Sequence, residues 1–158
     1  MAEPARSDPA PQPAVLLEDR LDYTPQARSV GLARRRAARL VTEWGHAALA
    51  GDAALVVSEL MTNALLHGSR HDRLIRVRIA LSADALRVEV TDPRGERLPE
   101  PRTAEGEDQF GRGLLLVGAL SDRWRCEPCA AGKTVYAEWN VGRADRGGAG
   151  ELVRMTGR

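Results

Sequence analysis

Apolar residues recur along this chain with two different periods, and the change of period divides it into elements. In "VLLEDRLDY", Val15, Leu17, Leu21 and Tyr23 alternate and predict a strand; Asp19 breaks the pattern and marks an edge. Thr24 and Pro25 then offer a capping hydroxyl and a pre-set first helical residue. Val30, Ala33, Ala37, Leu40, Val41 and Trp44 form a stripe at helical spacing, which Gly45 can close. A second helix is expected from about Asp52 to His67, stopped by Gly68.

From Ile75 the period becomes two. Ile75, Val77, Ile79 and Leu81 alternate with Arg76, Arg78 and Ala80, and Leu86, Val88 and Val90 alternate with Arg87, Glu89 and Thr91. After a Pro- and Gly-containing stretch, "GLLLVGAL" is helical again. Trp124 with Cys126, and then Val135, Ala137 and Trp139, predict two more half-buried strands. The order β-α-α-β-β-loop-α-β-β, with strands joined by short turns, gives a two-layer α/β sandwich: a mixed, mostly antiparallel sheet with helices on one face.

Residues 1–13 hold Pro4, Pro9, Pro11 and Pro13 and are expected to be a disordered tail. Residues 142–158, with "RADRGGAG", are expected to be a second, flexible one. One folded unit, 14–141, lies between them, in keeping with 158 residues and an apolar fraction of 43%. A net charge of +1 provides no general attraction for nucleic acid or an anionic membrane. The longest uninterrupted apolar run, "LLLVGAL", is far shorter than a membrane span, and no stretch resembles a secretory signal, so a cytoplasmic location is expected. Lys133 is the only lysine, so chemistry that needs a lysine must use it.

The second helix contains an anomaly. In "VVSELMTNALLHGS", Glu59, Thr62 and Asn63 are three and four residues apart and share one helical face amid Val, Leu, Met and Ala. A buried polar group left unpaired costs about 1–3 kcal/mol. Either these groups satisfy one another in the core, or their face opens onto a polar ligand. Asp92 then stands where "LRVEVTD" ends, and Gly111 and Gly113 open a helix. Glycines allow backbone N–H groups to approach a ligand, and a helix N-terminus favours anions. Three such features in order favour the ligand.

These residues carry a resemblance. "ELMTNALLHG", "VTDPRG", "GRGLLLV" and "GKTVYAEW" resemble the successive boxes of the GHKL ATPases, whose fold is the Bergerat or histidine-kinase-like ATPase fold. Within that superfamily the chain is most similar to stand-alone anti-sigma-factor serine/threonine kinases, over about residues 14–141. The resemblance implies ATP and Mg²⁺ as cofactors. It makes Asn63 the Mg²⁺ ligand, Glu59 the general base and Asp92 the acceptor of the adenine amino group. Gly111, Arg112, Gly113 and Leu114 would lie along the triphosphate, residues 93–110 would form a lid, and Thr134 would help hold Asp92 or a water. The superfamily's D-x-G-x-G is "DPRG" here, so only Gly95 remains, displaced by one.

The function implied is an ATP-dependent regulator that sequesters a sigma factor and phosphorylates a serine of an antagonist protein, with a homodimer paired through the first strand and the 25–44 helix. Two other functions fit the same residues: an ATP-responsive partner-binding module without phosphoryl transfer, and the detached ATPase part of a histidine kinase. His46, His67 and His71 lie outside any phospho-accepting helix. "GKT" at 132–134 is no P-loop, because Glu127 stands where the pattern needs Gly and a strand follows rather than a helix. Cys126 and Cys129 form a lone pair with no second pair to complete a zinc site. "RRR" at 34–36 is expected to be a solvated helix face.

Overall fold

The computed structural model describes residues 13–67, 73–92, 113–129 and 132–142. Strand β1 (Val15–Tyr23) leads into helix α1 (Ala27–Glu43), a 3₁₀ turn (Ala47–Leu49) and helix α2 (Ala50–His67). A hairpin of β2 (Ile75–Ser82) and β3 (Ala85–Asp92) follows, then helix α3 (described over 113–120), β4 (Arg123–Cys129) and β5 (Gly132–Asn140). The strands form one sheet in the order β1-β2-β3-β5-β4. Every pairing is antiparallel, so the mixed sheet expected from the sequence has no parallel component among the described strands. For the β2–β3 pair the reason is connectivity: the turn is too short for a crossover. Ser82 fixes that turn, its Oγ accepting the Ala85 N–H at 3.1 Å.

Helix boundaries follow local chemistry. Thr24 does not cap α1; the Gln26 N–H bonds back to the Thr24 carbonyl at 2.8 Å, and the helix starts at Ala27. The Thr24 hydroxyl instead lies 3.3 Å from that of buried Ser29. At the other end Gly45 takes φ +90°, with His46 N–H on Val41 O and Gly45 N–H on Thr42 O, a Schellman ending that only glycine adopts without strain. Helix α2 starts at Ala50, two residues before the expected Asp52, whose carboxylate lies in the first turn and favours the positive helix end.

The core lies between the helices and one face of the sheet. Val41, Val56, Val57, Met61, Ile75, Ile79, Leu86, Val88 and Val117 are fully buried. Helix α2 is long and apolar enough to cross a membrane by length and composition alone, yet its apolar side packs into this core. The flanking strands are less covered than their patterns suggest. In β1 only Tyr23 is buried; Val15 is 47%, Leu17 43% and Leu21 39% exposed. In β4 every residue is exposed, including Cys126; it is an edge strand with β5 as its single neighbour. Trp139 is buried and donates its Nε1–H to Leu120 O at 2.6 Å.

Asp19, the residue that broke the β1 alternation, faces α1. Arg36 forks onto it, Nε to Oδ2 at 2.8 Å and Nη2 to Oδ1 at 2.6 Å, so one member of the arginine run is a tether rather than part of a solvated face. Hydrogen bonding from Arg36 holds the Asp19 carboxyl below its usual range. On the opposite face of the sheet, ion pairs cross all five strands: Glu18 to Arg78, Arg78 to Glu89, Glu89 to Arg87, Arg87 to Glu138, and Glu138 to Arg123. The Arg87 guanidinium also stacks 3.6 Å from the Tyr136 ring centre.

Candidate functional site

Three elements converge at the end of β3. Helix α2 supplies Leu60, Asn63 and Ala64, β3 supplies Val90 and Asp92, and β5 supplies Lys133 and Val135; together they line a small void. Strand alternation places Val90 and Asp92 on the helix side, with their β5 partners Val135 and Lys133. The void is about 20 Å³, room for about one water in this conformation.

The polar groups in its walls are unusual for a core. Asp92 is only 7% exposed, the one buried carboxylate among the described residues. Its Oδ1 is buried and accepts no hydrogen bond, although the residue has other contacts. The Asn63 Nδ2 is also buried and donates none. Leaving the Asn63 amide unsatisfied costs about 1–3 kcal/mol, a deficit that a polar ligand could offset. The backbone of Gly113 rests on the Asn63 amide: a β-carbon there would lie 2.9 Å from Nδ2 and 3.2 Å from Oδ1.

The other candidate residues are placed as follows. Glu59, one turn before Asn63, is half-buried and stands outside the lining of the void. Thr62 turns back on its own helix, its hydroxyl donating to Ser58 O at 2.8 Å. Thr134 does not face Asp92. It lies on the outer face of β5 with its hydroxyl 2.9 Å from that of Thr91, because Asp92 pairs with Lys133 and the next residue points the other way. Leu114 is buried in the hydrophobic core. Gly95, Gly111, Arg112, the 93–110 stretch, His71 and the His67 side chain lie outside the described residues.

Lys133 is the lining residue that motif comparison missed. The signal was present: Val135, Ala137 and Trp139 mark the inward positions of β5, and Lys133 has the same parity.

The donor set fits a nucleotide with a hard cation. A carboxamide oxygen suits Mg²⁺, which keeps most of its shell as water and phosphate and needs few protein ligands. Among the described residues no cluster of three or more His, Cys, Asp or Glu offers a metal cage. Cys126 and Cys129 are free and exposed. A broader cleft of about 490 Å³ opens at the other end of the sheet beside Trp44, His46 and Ser82, with neither carboxylate nor carboxamide in its lining.

Comparison with known proteins agrees with this geometry. The sequence pattern of the histidine kinase-like ATPase domain matches residues 23–139. Among solved structures, the chain is similar to the RsbU and RsbW domains of Rv1364c from Mycobacterium tuberculosis, with a TM-score of 0.60 and 21% identity. That match covers 78% of this chain and 32% of the other, so this chain spans about a third of that protein's length, and the likeness is one of fold. Comparison with curated proteins gives no match.

Proposed function

Because this chain belongs to the histidine kinase-like ATPase domain family, we propose that it binds ATP with Mg²⁺ in the Asn63–Asp92 site and acts as a regulatory serine/threonine kinase of the anti-sigma type. The observation that carries the nucleotide assignment is the pair of buried polar groups, the Asn63 amide and the Asp92 carboxylate, facing one void from two elements. Family membership supports use of ATP; the kinase activity and its partners are the finer part of the proposal.

In this reading Asp92 accepts a hydrogen bond from the adenine amino group, and Leu60, Ala64, Val90 and Val135 provide apolar contact for the base. Asn63 holds the metal through its amide oxygen, and a bound Mg²⁺ neutralises phosphate charge. Gly113 lets the start of α3 approach Asn63 closely enough to close the site around the phosphates. Glu59 takes the proton of an attacking serine hydroxyl while the γ-phosphoryl group passes to that oxygen and ADP leaves. The ATP-binding unit is 14–141; the segments on either side lie almost wholly outside the described residues. The partners are a sigma factor and its antagonist protein, and the exposed apolar residues of β1 support pairing with a second copy.

Calorimetry tests the nucleotide assignment. ATP binding that tightens with Mg²⁺, weakens in Asp92→Asn and loses its Mg²⁺ dependence in Asn63→Ala is the expected result. Absence of ATP binding in every condition sinks it. The placement of Glu59 outside the lining favours a second reading, an ATP-responsive partner-binding module without phosphoryl transfer. Labelled phosphate appearing on an antagonist protein rules that reading out.

A further inference from the structure

Lys133 is the chain's only lysine, and the fold sets it in the wall of the void. In the antiparallel β3–β5 ladder it is the cross-strand partner of Asp92, which brings their Cβ atoms to roughly 4.5–5.5 Å. Both line the void with the apolar Leu60, Val90 and Val135. One end of the pocket therefore offers an anionic acceptor and a cationic donor side by side.

That pairing bears on which base the pocket takes, and the inference rests on the nucleotide-binding reading above. A carboxylate alone suits the 6-amino group of adenine and opposes the 6-oxo group of guanine or hypoxanthine, since two acceptors then face each other. An ammonium one cross-strand spacing away supplies the missing donor, on a flexible stem that can follow the base. The geometry points to Lys133 as a specificity-determining residue that extends the pocket from adenine to 6-oxopurines. In a 6-oxopurine complex Asp92 accepts the ring N1–H while Lys133 donates to O6. With adenine, Asp92 accepts from the amino group and the lysine turns aside.

The test is calorimetry with Mg²⁺ and ATP, GTP or ITP on the full chain as wild type, Lys133→Met and Lys133→Arg. Wild type binds GTP and ITP within about tenfold of ATP, and Lys133→Met weakens both by at least about tenfold more than it weakens ATP. Lys133→Arg, which keeps a donor, restores GTP and ITP binding. Wild type that binds ATP but rejects GTP and ITP by more than about a hundredfold overturns the inference. So does a Lys133→Met change equal for all three nucleotides. An amine-reactive reagent with peptide mapping gives an independent readout, because Lys133 is the only side-chain amine. GTP slows its labelling and leaves the terminal amine unaffected; equal labelling of Lys133 with and without saturating GTP overturns the inference. Wild type that binds no nucleotide overturns the nucleotide-binding reading itself, an outcome distinct from retained ATP binding without base relaxation.

Discussion

Gly113 and Asn63 are in direct register: any side chain at 113 would begin 2.9 Å from the Asn63 amide nitrogen. Gly113→Ala is therefore expected to turn that amide out of position. Because a carboxamide can swing, the stability cost is small, about 1 kcal/mol. The Mg²⁺ dependence of ATP binding, read by calorimetry, should be lost. An alanine variant with wild-type Mg²⁺ dependence would show that Asn63 does not hold the metal.

Asn63 itself offers a sharper contrast. Its Nδ2 is buried and donates no hydrogen bond, so Asn63→Leu exchanges an unsatisfied polar group for an apolar one of similar size. The nucleotide-free variant is expected to be more stable by about 1 kcal/mol, raising Tm by about 3 °C. The same variant should lose Mg²⁺-dependent ATP binding. A gain in stability together with loss of binding identifies a functional group kept at the expense of folding; a loss of stability would mean the amide is structural.

The Asp19–Arg36 pair predicts a pH dependence. Hydrogen bonding from Arg36 lowers the Asp19 pKa in the folded protein, so the folded state favours the ionised carboxylate. The pair's stabilisation is fully present above the ordinary carboxylate range and is lost as pH falls through the folded pKa. Asp19→Asn should cost about 0.5–1 kcal/mol at neutral pH, with the difference from wild type disappearing at an acid pH below the folded Asp19 pKa. Urea titrations at the two pH values measure it. A difference that persists in acid would assign the effect to packing.

Glu59 separates binding from chemistry. Glu59→Gln keeps the size and polarity of the side chain and removes its basicity. Phosphoryl transfer to a partner should fall about 10²–10⁴-fold with ATP affinity little changed. If affinity falls in step with transfer, Glu59 is a binding residue and the proton goes elsewhere.

The layout of the site was legible where period and chemistry coincide. Helix α2, the β2–β3 hairpin, the Gly45 stop and the inward placement of Asn63 and Asp92 all follow from spacing, since a buried face fixes which residues point in. At the margins the same reasoning failed. The alternation in β1 and β4 matched that of covered strands, but both are edge strands with one neighbour each, and Leu17, Leu21 and Cys126 remain exposed. Thr134 was assigned by motif and Lys133 passed over, although β5 parity puts the lysine inside and the threonine outside. Thr24 had the right chemistry for a cap, but its hydroxyl lies against that of Ser29, Gln26 takes the cap position, and the helix starts at Ala27.

The charges on the sheet face opposite the helices alternate in sign along one row, Glu18, Arg78, Glu89, Arg87, Glu138 and Arg123, with β3 contributing both Glu89 and Arg87. Such a row works as a checksum on strand alignment. A one-residue slip of β2 would turn Arg78 toward the core and expose the Ile75–Leu81 row. A two-residue slip would keep the faces and still part Arg78 from both Glu18 and Glu89. The exposed pairs add little to stability one by one. Their value lies in the misaligned sheets they penalise, and so in keeping Asp92 opposite Lys133 rather than one rung away.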